Sequence, residues 1–147
     1  MPFVEGDALH PPENVARMAA GIPLTDADRA GWLHDIAERL SQARAHHSGL
    51  VVACSALRYR YRDVLRRGDP EVTFVHLTGQ RDVIADRMTH RIGHFMPSTL
   101  LDSQLETLEA PVPNERFWTC EIAGRPDQIV EELVARLCAE EVGKGND

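Results

Sequence analysis

The stretch that decides the fold is residues 1–12, MPFVEGDALHPP, in which a short apolar run ends in two carboxylates and a pair of prolines follows. A short apolar run of this kind is typical of a buried strand. Glu5 and Asp7 then lie just beyond the carboxyl end of that strand, which is the edge where α/β sheets bind ligands. The stretch therefore predicts an α/β protein with a polar site at Asp7.

Three further apolar runs predict strands, and helical patterns separate them. The first run covers 3–4, and the second, third and fourth runs cover 50–54, 72–77 and 118–122. The second and third are apolar almost throughout, as parallel strands covered on both faces are. Thr25 and Asp28 have the spacing of a capping box, and Pro126 suits the first turn of a last helix. The alternation predicts one domain over 1–141, with a parallel sheet and helical crossovers, and a flexible tail at 142–147.

The composition argues against several classes of protein. The net charge of −7 argues against a nucleic-acid-binding surface, which needs a basic stripe. No stretch is long enough to span a membrane and the start has no signal-peptide pattern, so we expect a cytoplasmic protein. Cys54, Cys120 and Cys138 fit neither a disulfide framework nor a zinc site. Lys144 is the only lysine, and the other side chains that carry a permanent positive charge are arginines, so a cleft lined by arginines could still bind a small anion.

Five short motifs in this order resemble the gluconate kinases, small phosphotransferases of the shikimate-kinase and nucleotide-kinase type. They are GDALHP at 6–11, PLTDADRAGWL at 23–33, CSAL at 54–57, HFM at 94–96 and QLETLE at 104–109. The resemblance implies a P-loop kinase-like fold, a parallel sheet with flanking helices. It also implies ATP-dependent phosphorylation of D-gluconate to 6-phosphogluconate, with Mg²⁺ carried by ATP, and a possible homodimer.

The resemblance assigns the substrate side of the site to residues near the ends of the first two strands. Asp7 would bind the substrate and could orient or deprotonate the attacking hydroxyl, which is a catalytic role. His10 could donate to a hydroxyl or carboxylate, and Arg29 could bind a carboxylate bidentately. Residues 59–63 continue the match and are interpreted mainly as a helix surface. The remaining candidates are Ser55 and Gln104 for substrate binding, and Arg58, where the family has lysine, for catalytic positive charge.

The resemblance assigns the ATP side to arginines of a lid at roughly 86–100, with its tip at 94–96. Arg87 and Arg91 lie four residues apart and share a helical face. Their permanent charge and forked geometry match phosphate oxygens. Arg125 follows the last strand, in the loop that lies on the adenine side in such kinases. These three arginines are the candidates for binding ATP.

The phosphate-binding motif G-x-x-x-x-G-K-[ST] does not occur in these 147 residues. In the family, a strand, this loop and a helix precede the first strand seen here, and the extra strand lies in the middle of the sheet. We therefore expect a break in the sheet and little ATP affinity in the 147-residue chain itself. Three explanations stay open: a start upstream of Met1, a truncated relic, or a partner that completes the sheet. Glu5 stands where the family usually has aspartate and could contact Mg²⁺ through water.

Two other functions stay open. The first is a kinase for another small polar acceptor, such as shikimate or a different sugar acid, which a substrate panel would distinguish. The second is a non-catalytic protein that binds gluconate weakly or works with a partner. For the second, the missing phosphate-binding motif is the supporting observation.

Overall fold

The structure is a computed structural model, and it describes residues 1–93 and 97–144. The strands are β1 (Phe3–Glu5), β2 (Val51–Ala53), β3 (Phe74–Thr78) and β4 (Phe117–Glu121). The helices are α1 (Pro12–Ala19), α2 (Asp26–Ala45), α3 (Tyr59–Gly68), α4 (Arg81–Thr89), α5 (Leu101–Thr107) and α6 (Pro126–Lys144). Single 3-10 turns cover Gly6–Leu9 and Ser98–Leu100. Among the described residues, no helix has both the length and the apolar character that a membrane crossing requires.

The four strands form two parallel pairs. In the first pair Phe3 lies opposite Val51, and in the second Phe74 lies opposite Phe117. Within the described part of the chain, β2 and β3 share no ladder of hydrogen bonds. The predicted α/β fold with parallel strands and flanking helices is confirmed, and so is the break in the sheet. We call residues 1–68 the first half of the chain and residues 74–144 the second half.

The core of the first half lies between α2 and α3. Helix α2 begins with the predicted capping box, in which Thr25 Oγ1 accepts the Asp28 N–H at 3.1 Å and the Thr25 N–H donates to the Asp28 carboxylate at 2.9 Å. The two helices approach closely at Gly68, where a Cβ atom would overlap the backbone of Ala37. The buried side chains of this core are Trp32, Leu33, Ile36, Ala37 and Leu40 from α2, with Tyr61 and Leu65 from α3. This packing fixes the start of α2 against α3.

Three expectations from the sequence differ from the structure or fall outside it. Residues 59–63 were interpreted mainly as a helix surface, which is wrong for Tyr61 and Arg62, because both are buried. Helix α6 continues to Lys144, so the boundary predicted at 142 falls inside that helix. The HFM motif at 94–96, the predicted lid tip, lies outside the described residues.

Candidate active site

The acidic turn after β1 is held tightly against the end of β2. Gly6 is buried, and a Cβ atom there would overlap the carbonyl oxygen of Ala53, so only glycine permits this approach. The indole N–H of Trp32 donates to the carbonyl oxygen of Gly6 at 2.7 Å. Asp7 follows in the same 3-10 turn. Its backbone is therefore anchored from both β2 and α2, beside the CSAL motif.

Cys54, the first residue of that motif, is a neutral thiol in this environment. Burial, reinforced by the negative charge of Asp7, raises the pKa of the Cys54 thiol to about 12. A thiol with such a pKa is not a nucleophile at neutral pH. Cys54 therefore contributes packing, as expected, and the chemistry of this turn belongs to its neighbours.

His10 is built into the same corner. Its ring stacks on the indole of Trp32, with ring centroids 4.2 Å apart and an interplanar angle of 16°. Its Nδ1 lies 3.4 Å from the side-chain amide nitrogen of Asn14, which also donates to the carbonyl oxygen of Asp28 at 2.8 Å. Burial lowers the pKa of His10; the charge of Asp7 opposes this shift and that of Arg29 adds to it. At neutral pH the imidazole is uncharged and can both donate and accept.

We expect His10 to make the fold less stable as the solution is acidified below pH 6.5. The unfolded chain protonates His10 with a pKa near 6.5, whereas the folded chain does so only at lower pH. Between these two values the unfolded state holds more protons, so the free energy of unfolding falls as the pH falls. Urea denaturation across pH 5–7 should show a shallower pH dependence in His10→Gln. An NMR titration that places the pKa of His10 at or above 6.5 would contradict this prediction.

Arg29 and Arg58 present buried polar groups without partners. Arg29 lies in the first turns of α2, is 8% exposed, and stands over the ring of Tyr61 with its central carbon 5.4 Å from the centroid. Arg58 is the residue that caps α3. In the described part of the chain, the Nε atoms of both arginines are buried and have no hydrogen-bond partner. Such donors suit an anionic ligand, because a buried N–H without a partner costs about 1–3 kcal/mol.

The charge of Asp26, at the start of α2, interacts with both arginines. The Tyr61 hydroxyl donates to Asp26 at the start of α2, and Arg60 pairs with the same carboxylate. Hydrogen bonding from Tyr61, and then the charges of Arg60, Arg58 and Arg29, lower the pKa of Asp26 despite partial desolvation. Asp26 is thus an anion at neutral pH, paired with Arg60 and attracted by the charges of Arg58 and Arg29.

The predicted substrate residues Arg29 and Gln104 line one cleft. Ser103 joins them from α5, and the rest of the lining is mostly apolar: Met18, Pro23, Leu24 and Leu100. Residues 29 and 104 are far apart in the sequence, and the motifs alone do not predict that they lie in one cleft. The cleft combines apolar walls with a few polar groups, and its empty volume of about 220 Å³ lies below the roughly 300–1,000 Å³ usual for small-molecule sites.

The turn that carries Ser55 is held by two residues that sequence reasoning missed, Arg62 and Glu115. Arg62 donates to the carbonyl oxygens of Ala56 and Leu57, and its other nitrogens bind Glu115. Ser55 itself is half-buried. The apolar residues Tyr61 and Leu65, four positions apart, could have indicated a buried face next to Arg62.

Glu115 remains ionised in this buried position. Burial alone would raise the pKa of the Glu115 carboxyl, but hydrogen bonds from Arg62, the Val112 N–H and Arg66 outweigh it and lower the pKa below its usual value. Arg62 therefore has a charged partner at neutral pH, and the contact is an ion pair.

The three candidate ATP-binding arginines fall into two places. Arg91 donates to the carboxylate of Glu5 at 3.2 Å, which joins the predicted lid to the acidic strand end. Arg87 donates to the carbonyl oxygen of Gly124 at 3.0 Å, in the loop that also carries Arg125. Arg125 binds a carboxylate at the start of α6. All three residues are exposed, so their guanidinium groups are accessible from solvent.

The residues present fit a magnesium ion that arrives with a nucleotide. The described residues contain no group of three or more side chains of the types that hold a resident metal. Mg²⁺ commonly keeps several waters and takes one or two carboxylates together with phosphate oxygens. Glu5 can supply one carboxylate once Arg91 releases it, which would fit the predicted contact through water.

Comparison with known proteins identifies close relatives over most of the chain. The chain is 48% identical over 142 residues to the gluconokinase of Gluconobacter oxydans, covering 95% of this chain and 78% of the relative. It is 41% identical over an alignment of 159 positions to the thermosensitive gluconokinase of Escherichia coli, which covers 99% of this chain and 82% of the relative. No protein-family model matches.

Solved structures give the same result at the level of the fold. A gluconokinase from Sinorhizobium meliloti is 48% identical, with a TM-score of 0.83 over 99% of this chain and 83% of the other. An unliganded sugar kinase from Janibacter is 47% identical, with a TM-score of 0.87 over 93% and 79%. The arrangement of strands and helices described above is therefore shared with sugar kinases.

Proposed function

The chain belongs to the gluconokinase family, and from this premise we propose that it transfers the γ-phosphate of ATP to the 6-hydroxyl of D-gluconate. The family assignment made from the five motifs is confirmed, and with it the class of kinase. The acceptor, the role of each site residue and the use of Mg²⁺ are our proposal. The observations that support it come from the cleft and the acidic turn.

The observation that carries the proposal is the buried guanidinium of Arg29 in the cleft. Its Nε lacks a partner within the described residues, and the polar side chain of Gln104 lines the same cleft. A carboxylate there would accept charge-assisted hydrogen bonds from the guanidinium. Gluconate carries a carboxylate at the end opposite to its 6-hydroxyl, which would extend toward the rest of the site.

Asp7 would act on that hydroxyl, and His10 on a neighbouring one. The Asp7 carboxylate accepts the proton of the 6-hydroxyl while the oxygen of that hydroxyl bonds to the γ-phosphorus. At the same time the bond between this phosphorus and the bridging oxygen of ADP breaks. His10 is neutral and can donate to a neighbouring hydroxyl of the sugar acid. Arg58, Arg87 and Arg91 would neutralise the charge of the phosphates. ATP would supply the phosphoryl group, and Mg²⁺, held by Glu5 through water, would offset part of the phosphate charge.

The test is a kinase assay with ATP, Mg²⁺ and a panel of acceptors. Formation of 6-phosphogluconate is followed by coupling to its dehydrogenase, for this chain and for a version extended upstream to the nearest in-frame start. We expect turnover mainly in the extended version, because these 147 residues lack the motif G-x-x-x-x-G-K-[ST]. We expect gluconate to be the best acceptor among gluconate, other sugar acids and shikimate. A preference for another acceptor, or no phosphorylation of gluconate by either version, would refute the proposal.

We expect Arg29→Gln to weaken gluconate binding about 10- to 150-fold, since hydrogen bonds to a charged group are worth about 1.5–3 kcal/mol. Calorimetry without ATP measures this directly. The matched control is Arg39→Gln, an exposed arginine of the same helix, which should bind like the parent. D-sorbitol, which lacks the carboxylate, should not distinguish the parent from Arg29→Gln. Equal gluconate affinity in the parent and Arg29→Gln would remove Arg29 from the site.

A further inference from the structure

A buried ion pair between Arg62 and Glu115 links the two halves of the chain. Their side chains are 3% and 0% exposed, and they meet in the bidentate geometry: Arg62 Nε to Glu115 Oε2 at 2.7 Å and Nη2 to Oε1 at 3.0 Å. Arg66 also donates to Oε2 at 2.7 Å, and the Val112 N–H donates to Oε1 at 3.2 Å. Each carboxylate oxygen therefore accepts two hydrogen bonds.

The third nitrogen of the Arg62 guanidinium faces the turn that carries the CSAL motif. Its Nη1 donates to the carbonyl oxygen of Ala56 at 3.0 Å and to that of Leu57 at 3.3 Å. The Glu109 N–H, from the segment after α5, donates to the same Leu57 oxygen at 2.7 Å. The turn at 54–58 is thus held from α3 on one side and from the second half of the chain on the other.

Stability alone is a weak reason for such a pair. Two charges lose their hydration on burial, and a well-packed apolar pair of similar size is often as stable or more stable. An apolar pair has no donor for the two carbonyl oxygens, however. The planar fork of arginine can bind a carboxylate on one edge and carbonyl oxygens on another, which lysine and methionine cannot do.

We propose that Arg62 is a positioning residue of the active site: it fixes the turn at 54–58 so that Ser55 and Arg58 face the substrate, and Glu115 fixes Arg62. The inference rests on the proposed function, because it assigns these two residues to the gluconate site. It adds a residue that contacts neither substrate nor phosphate but determines the geometry of those that do.

The experiment compares Arg62→Lys and the double variant R62M/E115M with the parent, all in the version extended upstream. The matched control is Arg67→Lys, on the same helix, whose side chain is 77% exposed in its pair with Asp63. We expect Arg62→Lys to lose on the order of 10²-fold in kcat for gluconate, the size of effect that a misplacement of about 1 Å can cause. The double variant should unfold at a urea concentration close to the parent's and yet keep the loss in kcat. The control should match the parent in both.

A readout without turnover separates this inference from the proposed function. Amide hydrogen exchange at 55–58 should become at least tenfold faster in Arg62→Lys and in the double variant, while exchange in the middle of α2 stays as in the parent. If the parent phosphorylates no gluconate but exchange rises in this way, the proposed function fails and the positioning of the turn stands. If exchange at 55–58 is unchanged, the inference is overturned. It is also overturned if the double variant matches the parent in both urea midpoint and kcat.

Discussion

In the version extended upstream, replacing Asp7 by asparagine should lower the turnover of gluconate by about 10²- to 10⁴-fold, the usual contribution of a positioned general base. Asparagine has nearly the same shape, and the Gly6 contacts that anchor this turn remain. The amide cannot accept the proton of the 6-hydroxyl, so the loss should appear in kcat. Calorimetry should show that gluconate still binds within a few-fold of the parent.

The control for this variant is Asp35→Asn, an exposed aspartate on α2. It should turn over gluconate at the parent's rate, which would exclude a general effect of lost negative charge. Asp7→Asn should also keep the parent's urea midpoint. A near-normal kcat in Asp7→Asn would show that proton removal does not depend on this carboxylate.

Replacing Trp32 by alanine should cost about 3–5 kcal/mol of folding free energy, the usual loss when a large buried aromatic side chain is removed. Trp32 is 1% exposed, packs in the α2–α3 core, stacks on His10 and donates to the Gly6 carbonyl. The free energy of unfolding of a native domain is only about 5–15 kcal/mol, so this substitution removes a large part of it. Urea denaturation followed by circular dichroism measures the loss.

Trp32→Phe separates the volume of the ring from its N–H. It keeps an aromatic ring next to His10 and removes the donor to Gly6, so its loss should be clearly smaller than that of the alanine variant. Phe3→Ala is the control for an aromatic side chain that is 63% exposed, and it should change stability much less than Trp32→Ala. Equal losses in Trp32→Ala and Phe3→Ala would refute the central place given to Trp32.

The fold was predictable where the signal is local. Apolar runs placed the four strands within two residues, and the spacing of Thr25 and Asp28 placed the start of α2. The apolar spacing along 12–19 does not predict helix α1. Pro12 in fact occupies the first turn of α1, where proline needs no N–H partner, so a signal was present.

The site was predictable residue by residue but not as an arrangement. Motifs identified Arg29 and Gln104 separately, and only the structure brings them into one cleft. Arg62 was missed because charged residues are rarely buried unless they are paired, and its partner Glu115 lies 53 residues away. Local patterns carry no information about a partner at that distance. The substrate and phosphate roles assigned from the resemblance remain predictions that the variants above test.

The break between the two strand pairs makes ionic strength a selective probe of this protein. With no ladder joining β2 and β3 in the described residues, ion pairs contribute to the junction between the two halves. Glu5 and Arg91 form a partly exposed pair, which dissolved salt screens over about 8 Å at physiological concentration. Arg62 and Glu115 are excluded from solvent and are screened far less. Added salt should therefore weaken the contact between Glu5 and Arg91 more than the contact between Arg62 and Glu115.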